Sequence, residues 1–326
     1  MSRTDPKLVS PAGESAKAKL KNLATKTDKP FDPVAQRFLL EGAIRRIFQS
    51  DHADRFGLGV SLKGGALMFL AEGVDAIHGR GTTDIDLQIS EWRGTMDELA
   101  VAMREALSSI PAIDDGVRFD VDDLRVTSIR EGGVPGGAVT CWAQIGTMRV
   151  RFKTDVGFYD AALQDTLIET DYPSMLDLPP IRIWRQQIEY SISDKAHAAW
   201  KRGSDNSRLR DYYDLAVYLS KCSVDDDRLR QAFSRSWPLY GAQVPTSIDE
   251  IEGYDAGWAE EKAADFEKLR AASKWAVPVP DLPEIVALIR GRLGPVLQRL
   301  ADEPEKTDAS HLRDAASAGG FRPTLQ

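Results

Sequence analysis

Val34, Phe38, Leu39, Ile44, Ile47 and Phe48 recur at the three- and four-residue spacing of one helical face, and Asp32-Pro33 ahead of them offers an N-cap with proline at the first helical position. The spacing predicts a packed helix. Leu58, Val60 and Leu62 then alternate with Gly59 and Ser61, as a strand that runs into Gly64-Gly65. A helical run over 66–72 follows, then a second alternating segment over 83–89 and an amphipathic helix over 95–108. Three further strands are expected over 123–130, 138–145 and 148–158, the first two joined by the glycine-rich turn 132–137. Beyond Pro173 the pattern becomes helical, over 187–202, 208–221, 228–234, 256–276 and 283–300.

These periods predict an α+β chain in two lobes: a mixed-sheet domain over 31–165 and a mainly helical domain over 166–301. Residues 1–30 carry Lys17, Lys19, Lys21, Lys26 and Lys29 with few large apolar residues, and read as a mobile basic arm or a short peripheral helix. The polar tail over 302–326 is expected to be disordered. At 326 residues with 42 % hydrophobic content the chain can bury a sizeable core. It contains no signal-peptide core and nothing near the ~18 apolar residues of a membrane span, so a cytoplasmic protein that makes no use of a membrane is expected.

Charge and metal-ligand spacing narrow the chemistry. A formal net charge of −8 argues against coating nucleic acid by global attraction, while leaving room for a local basic groove. Cys141 and Cys222 lack CxxC pairing, and His52, His78, His197 and His311 show no ligand spacing, so any metal would be held by oxygen. Asp84 and Asp86 supply it. On a strand they project to one face from Cα atoms ~6.6 Å apart. Two carboxylates about 5 Å apart repel by about 3 kcal/mol at an effective dielectric of ~20, a cost that Mg²⁺ converts to attraction. A lone DxD is more often an exposed strand end, and a bare Gly-Gly an ordinary tight turn. Together they offer a triphosphate both metal ligands and backbone N–H groups that no Cβ shields.

Lys63-Gly64-Gly65-Ala66-Leu67, Arg80 and Asp84-Ile85-Asp86 resemble the opening KGG-x-L, Arg, DID series of the AbiEii/AbiGii-type toxin nucleotidyltransferases. That family includes the MenT toxins and belongs to the polymerase-β-like superfamily. The run from Asp155 through Gly157 and Phe158 to Asp160 is similar to its DxGFxD stretch, and the run from Tyr172-Pro173 to Pro179 to its YPxxLDxP. Ser193-Asp194-Lys195 stands where the family has AEK. Asn206-Ser207-Arg208-Leu209-Arg210-Asp211-Tyr212-Tyr213-Asp214-Leu215 resembles NSRxKDxYDL. Departures are Asp194 for Glu, Arg210 for Lys and Tyr159 for Gly. The ordered series spans most of residues 35–222.

The resemblance implies that the mixed-sheet domain is a polymerase-β-like nucleotidyltransferase domain in which Gly64 and Gly65 hold nucleotide phosphates while Asp84 and Asp86 bind Mg²⁺. Asp155 would be a third metal carboxylate assisting deprotonation of an acceptor hydroxyl; its strand parity with Arg149, Arg151 and Lys153 equally suits a surface salt bridge. Lys195 would neutralise triphosphate charge opposite Asp211, or the two would form an inter-helix ion pair. Lys63 and Arg80 either contact phosphate or brace the carboxylates. Asp214, Arg208 and Arg210 are secondary.

The section rich in Arg182, Arg185, Lys201, Arg202, Arg208 and Arg210, with Tyr212 and Trp200 for stacking, suits an RNA end, or else is a set of solvated helix faces and core aromatics. By resemblance the acceptor is RNA, the 3′ end of tRNA, extended from NTP with release of pyrophosphate. That would block aminoacylation and growth, under the control of a cognate antitoxin. Two other classes fit the residues: a non-catalytic fold relative that binds nucleotide or RNA, and a transferase acting on a protein or small-molecule hydroxyl.

Overall fold

The computed structural model describes residues 4–49, 59–75, 77–131, 134–159, 161–273 and 275–302. Leu58, Gly132, Gly133, Asp160, His52, His311 and the tail beyond Asp302 lie outside them. The amino-terminal segment forms helix α1, Pro11–Lys26, the second of its two expected states. Ser10 caps it by accepting from the Gly13 N–H, and Ala16, Leu20 and Ala24 turn one face into the core while the lysines stay on the other. Helix α2, Phe31–Ile47, starts one residue before the expected cap. Pro30 takes the N-cap position without a side-chain bond, and Asp32 lies in the first turn, where an acid complements the helix dipole.

Strand β1, Val60–Lys63, leads into a 3₁₀ turn, Gly64–Leu67, and the short helix α3, Met68–Glu72. After β2, Ile85–Ser90, comes α4, Met96–Ser108, whose Thr95 and Glu98 form a reciprocal capping box. The strands β3, Val117–Glu131, β4, Val134–Ile145, and β5, Met148–Tyr159, follow as a meander. Two strands come next that sequence reading did not anticipate: β6, Leu167–Tyr172, and β7, Ile181–Gln186. Among the described residues the seven strands make one mixed sheet in the order β3-β4-β5-β2-β1-β7-β6, with β2/β5 and β1/β7 parallel and the other pairs antiparallel. β6 carries Glu169 and Asp171 outward, as edge strands do, which hides its periodicity.

The remaining helices are α5, Ile188–Arg202, α6, Leu209–Lys221, α7, Asp226–Leu239, α8, Ala256–Ser273, and α9, Leu282–Asp302. Two large hydrophobic clusters hold the fold, with a smaller third around Tyr159, Leu163 and Tyr190. One lies between the sheet and helices α1, α2 and α4; the other gathers α5 to α9. Met68 of α3 belongs to the second cluster, so the segment after Gly65 ties the sheet to the helices.

Register sets the chemistry of the sheet. Lys63 pairs with Asp86, and Asp86 with Asp155, so one lysine and two carboxylates stand in a row across β1, β2 and β5. On β5, Phe152, Thr154 and Val156 are buried in the first core, while Lys153, Asp155 and Gly157 alternate onto the opposite face.

Candidate active site

A cleft of about 800 Å³ lies between that face and helices α5 and α6. Lys63, Gly64, Gly65, Arg80, Asp84, Asp86, Asp155, Lys195, Arg208, Arg210 and Asp211 all line it. Residues separated by up to 148 positions in sequence thus share one solvent space.

Gly64 has φ of +70°, a left-handed conformation, and a Cβ there would lie 2.1 Å from Asp86 Oδ2. Only glycine fits. A Cβ at Gly65 would meet Thr82 Oγ1 at 3.1 Å and both terminal nitrogens of Arg80 at 3.3 Å, so the guanidinium rests directly against the second glycine. The helical run expected over 66–72 is present as the end of a 3₁₀ turn and the five residues of α3. Close backbone approach, rather than a helix dipole, is what this turn offers an anion.

Behind the cleft runs a chain of ions. Asp214 is fully buried and accepts from Arg80 Nε at 2.5 Å, Arg80 Nη2 at 2.8 Å and Lys195 Nζ at 2.7 Å. Lys195 also donates to Asp211 Oδ1 at 2.7 Å, and Arg208 Nε lies 2.7 Å from Asp211 Oδ2. Burial alone would discharge these groups. It pulls the Lys195 ammonium down, but Asp211 and Asp214 outweigh it and leave the pKa raised. Burial likewise pushes Asp214 up, and Lys195 and Arg80 more than reverse it, holding the carboxyl below its usual range. The ion pair expected as the alternative role of Lys195 and Asp211 is therefore present, on the wall of the cleft. Arg80 braces a carboxylate, that of Asp214, and shows its other face to Gly65. Asp214, expected to be secondary, anchors both cations.

Asp155 Oδ2 accepts from Lys153 Nζ at 2.7 Å, the end of a ladder that includes Arg149–Asp120 and Arg151–Asp123. The salt-bridge reading of its strand parity is thus realised, and Asp155 lines the cleft as well. Lys153 is raised chiefly by that hydrogen bond, with Asp84 and Asp86 adding to it, which places all three carboxylates in one field.

Whether these groups fit a divalent cation can be judged from their atoms. The donor set is carboxylate oxygen throughout, as magnesium prefers. Asp155 Oδ1 is buried with no hydrogen-bond partner among the described residues, and Asp86 stands beside it in register. Among the described residues, no three His, Cys, Asp or Glu side chains are yet drawn together to ligand geometry. The donors fit the ion in kind.

Tyr159, Gln186, Asp194 and Tyr240 are among the cleft-lining residues that the sequence pattern does not mark as site residues. Lys63 Nζ donates to Tyr159 Oη at 2.8 Å, and Gln186 Nε2 to Asp194 Oδ2 at 2.9 Å. Tyr159 and Asp194 are the very positions that depart from the motif series. Behind Arg80, Glu72 accepts from the Arg80 N–H at 2.9 Å and from the Tyr213 hydroxyl.

The basic section divides. Lys201, Arg202, Arg208 and Arg210 border the cleft, while Arg182 pairs with Glu169 and Asp171 on the sheet edge and Arg185 lines a separate 240 Å³ pocket. Tyr212 is not available to stack a base: it is 1 % exposed, donates to the Gly253 carbonyl at 2.6 Å and stacks on Trp258. Trp200 is partly exposed beside His197. Among the described residues no helix is long and apolar enough to cross a membrane.

A family model described as nucleotidyl transferase AbiEii toxin, type IV TA system, matches residues 43–288. Among solved structures, a Helicobacter pylori protein provisionally assigned as a nucleotidyltransferase is 13 % identical, with 84 % of this chain and 98 % of that one covered at a TM-score of 0.41. JHP933 from Helicobacter pylori is 15 % identical, with 88 % and 98 % covered at 0.40. No curated protein matches. The family match extends from α2 through the sheet and the cleft into α9, well over half of the chain, and takes in every residue of the site described above. The chain belongs to the AbiEii family of nucleotidyltransferase toxins of type IV toxin–antitoxin systems.

Proposed function

We propose that this chain transfers a nucleoside monophosphate from NTP to the 3′ end of an RNA, tRNA being the expected acceptor, with release of pyrophosphate. The observation that carries the reading is the convergence on one cleft of the Gly64-Gly65 turn, the carboxylates of Asp84, Asp86 and Asp155, and the Lys195 ammonium. Growth arrest would follow from blocked translation in the cytoplasm, and a cognate antitoxin would restrain it.

Each part has a task set by charge. Gly64 and Gly65 let the polyphosphate approach the backbone, because no side chain stands in the way. Arg80, braced by Asp214, presents a fixed cation against Gly65. Lys195 remains protonated and offsets charge that develops on the departing pyrophosphate. Asp155 has a carboxylate oxygen, without a partner among the described residues, with which to take the proton of the attacking hydroxyl. Oxygen of that hydroxyl bonds to the α-phosphorus as the bond to the bridging β-phosphate oxygen breaks. Mg²⁺, held by Asp84, Asp86 and Asp155, would supply Lewis-acid stabilisation of the transferring group when bound. Lys201, Arg202 and Arg210 border the same cleft and suit an RNA backbone locally, despite a net charge of −8.

The test is incubation of the protein with each radiolabelled NTP, Mg²⁺ and total cellular RNA or protein. Label in small RNA, absent with Asp84→Ala, is expected. Label in protein instead would replace the acceptor. Growth inhibition undiminished by Asp84→Ala and Asp86→Ala together would refute the catalytic reading.

A further inference from the structure

Tyr159 stands on the cleft face of β5, four residues beyond Asp155, yet it is buried. Gly157 makes room for it. A Cβ at 157 would lie 2.7 Å from Tyr159 Cε2, so the ring occupies the space a side chain there would need. The Tyr159 hydroxyl accepts from Lys63 Nζ at 2.8 Å, and the same ammonium lies 5.1 Å from the ring centroid. Tyr240, which follows α7, lines the same cleft. The Tyr240 hydroxyl donates to Asp194 Oδ1 at 2.5 Å. Asp194 is fixed in turn by Gln186, and the Tyr240 ring stacks on His197 at 4.4 Å between centroids.

Lys63 and Tyr159 thus join β1 to β5, and Tyr240 and Asp194 join the end of α7 to α5, on the wall of one cleft. Lys63 immediately precedes Gly64, and Asp86 stands directly opposite it in register. The carboxylate draws the ammonium toward the acidic row, while the Tyr159 hydroxyl gives it an acceptor on β5 that is itself anchored. A void of about 10 Å³, bordered by Lys63, Asp155, Gly157 and Tyr159, leaves little freedom beneath them.

We propose that Tyr159 is a positioning residue for nucleotide binding: it holds the Lys63 ammonium at the edge of the Gly64-Gly65 turn, facing the polyphosphate of an incoming nucleoside triphosphate, and touches no reacting atom itself. The inference rests on the reading of the cleft as an NTP site.

The experiment is steady-state transfer with NTP varied, alongside calorimetric NTP binding, for wild type, Tyr159→Phe, Lys63→Met and the double variant. Tyr159→Phe keeps the ring and loses the acceptor. KM and the NTP dissociation constant should each rise about tenfold, the size of one charge-assisted hydrogen bond, with kcat changed less than about twofold. In the Lys63→Met background the same substitution should have no further effect. A KM within about twofold of wild type, or an equal rise without Lys63, overturns the proposal. Should Tyr159→Phe fold poorly, Tyr159→Leu, which also lacks the acceptor, is read by the same two criteria. A wild type that neither binds nor transfers any NTP would instead refute the NTP reading, and this inference with it.

Discussion

Replacing Asp214 by Asn tests the ion chain behind the cleft at its most buried point. The substitution keeps the shape of the side chain but removes the charge, and leaves Arg80 and Lys195 facing an amide with one accepting oxygen where the carboxylate has two. The carboxylate is fully buried and now receives three bonds of 2.5–2.8 Å from the two cations. After the change only Asp211 remains close to Lys195, and it is already shared with Arg208. Breaking a buried pair by removing one partner costs about 3–5 kcal/mol, most of it the penalty of the charges left behind. Urea unfolding at pH 7 should show a loss of that size. Removing Lys195 as well, in Asp214→Asn with Lys195→Met, should return at least about 1 kcal/mol, because the second change relieves what the first created.

The same perturbation has a pH signature. Lys195 and Arg80 overcome the effect of burial and hold Asp214 below its usual pKa, so the folded state binds its proton later than the unfolded chain, whose Asp titrates near ~3.9. Its contribution is fully present above that value and fades as pH falls through the depressed folded pKa. Stability curves of wild type and Asp214→Asn should converge in acid. A loss under about 1 kcal/mol at neutral pH, or a gap that does not narrow on acidification, would refute the account of the network.

Other consequences are testable at single positions. Gly64→Ala places a Cβ 2.1 Å from Asp86 Oδ2 and should lower transfer by at least about 100-fold, as misplacement of the reacting groups does, whereas Gly73→Ala, at φ +66° with no atom within 4 Å of its Cβ, should cost only roughly 1–2 kcal/mol of stability and leave transfer intact. Asp86→Asn should reduce transfer by roughly 10²–10³-fold in the labelled-NTP assay while the protein keeps its fold. Burial pulls the His197 pKa down to about 4, so stability should decline as pH falls from about 6.5 toward 4; chemical denaturation across that window should give a flatter curve for His197→Phe. If Arg210, exposed on the cleft rim, contacts an RNA phosphate, Arg210→Gln should lower the slope of log affinity against log salt by about 0.7 in a filter-binding titration.

Local periodicity settled much of this protein. The alternation over 83–89 and 148–158 appears as β2 and β5, and the helical spacings over 95–108 and 208–221 as α4 and α6, because each segment's apolar residues face one core. The ordered motif series settled the family and marked residues that do line one cleft. Where a segment's environment is not one-sided, reading failed. β6 is an edge strand with charges outward, and Tyr212 is polar at one end only, so its burial against Trp258 could not be told from a stacking platform.

What the tertiary structure alone decided are the pairings between distant residues. Lys63 meets Tyr159 across 96 positions and Arg80 meets Asp214 across 134, through strand order and helix packing that no local pattern encodes. The sequence carried which side chains exist and the period on which each is displayed. Placing Lys63, Asp86 and Asp155 in one row required β1, β2 and β5 to become neighbours, and that adjacency is fixed by the joint burial of residues drawn from the whole chain.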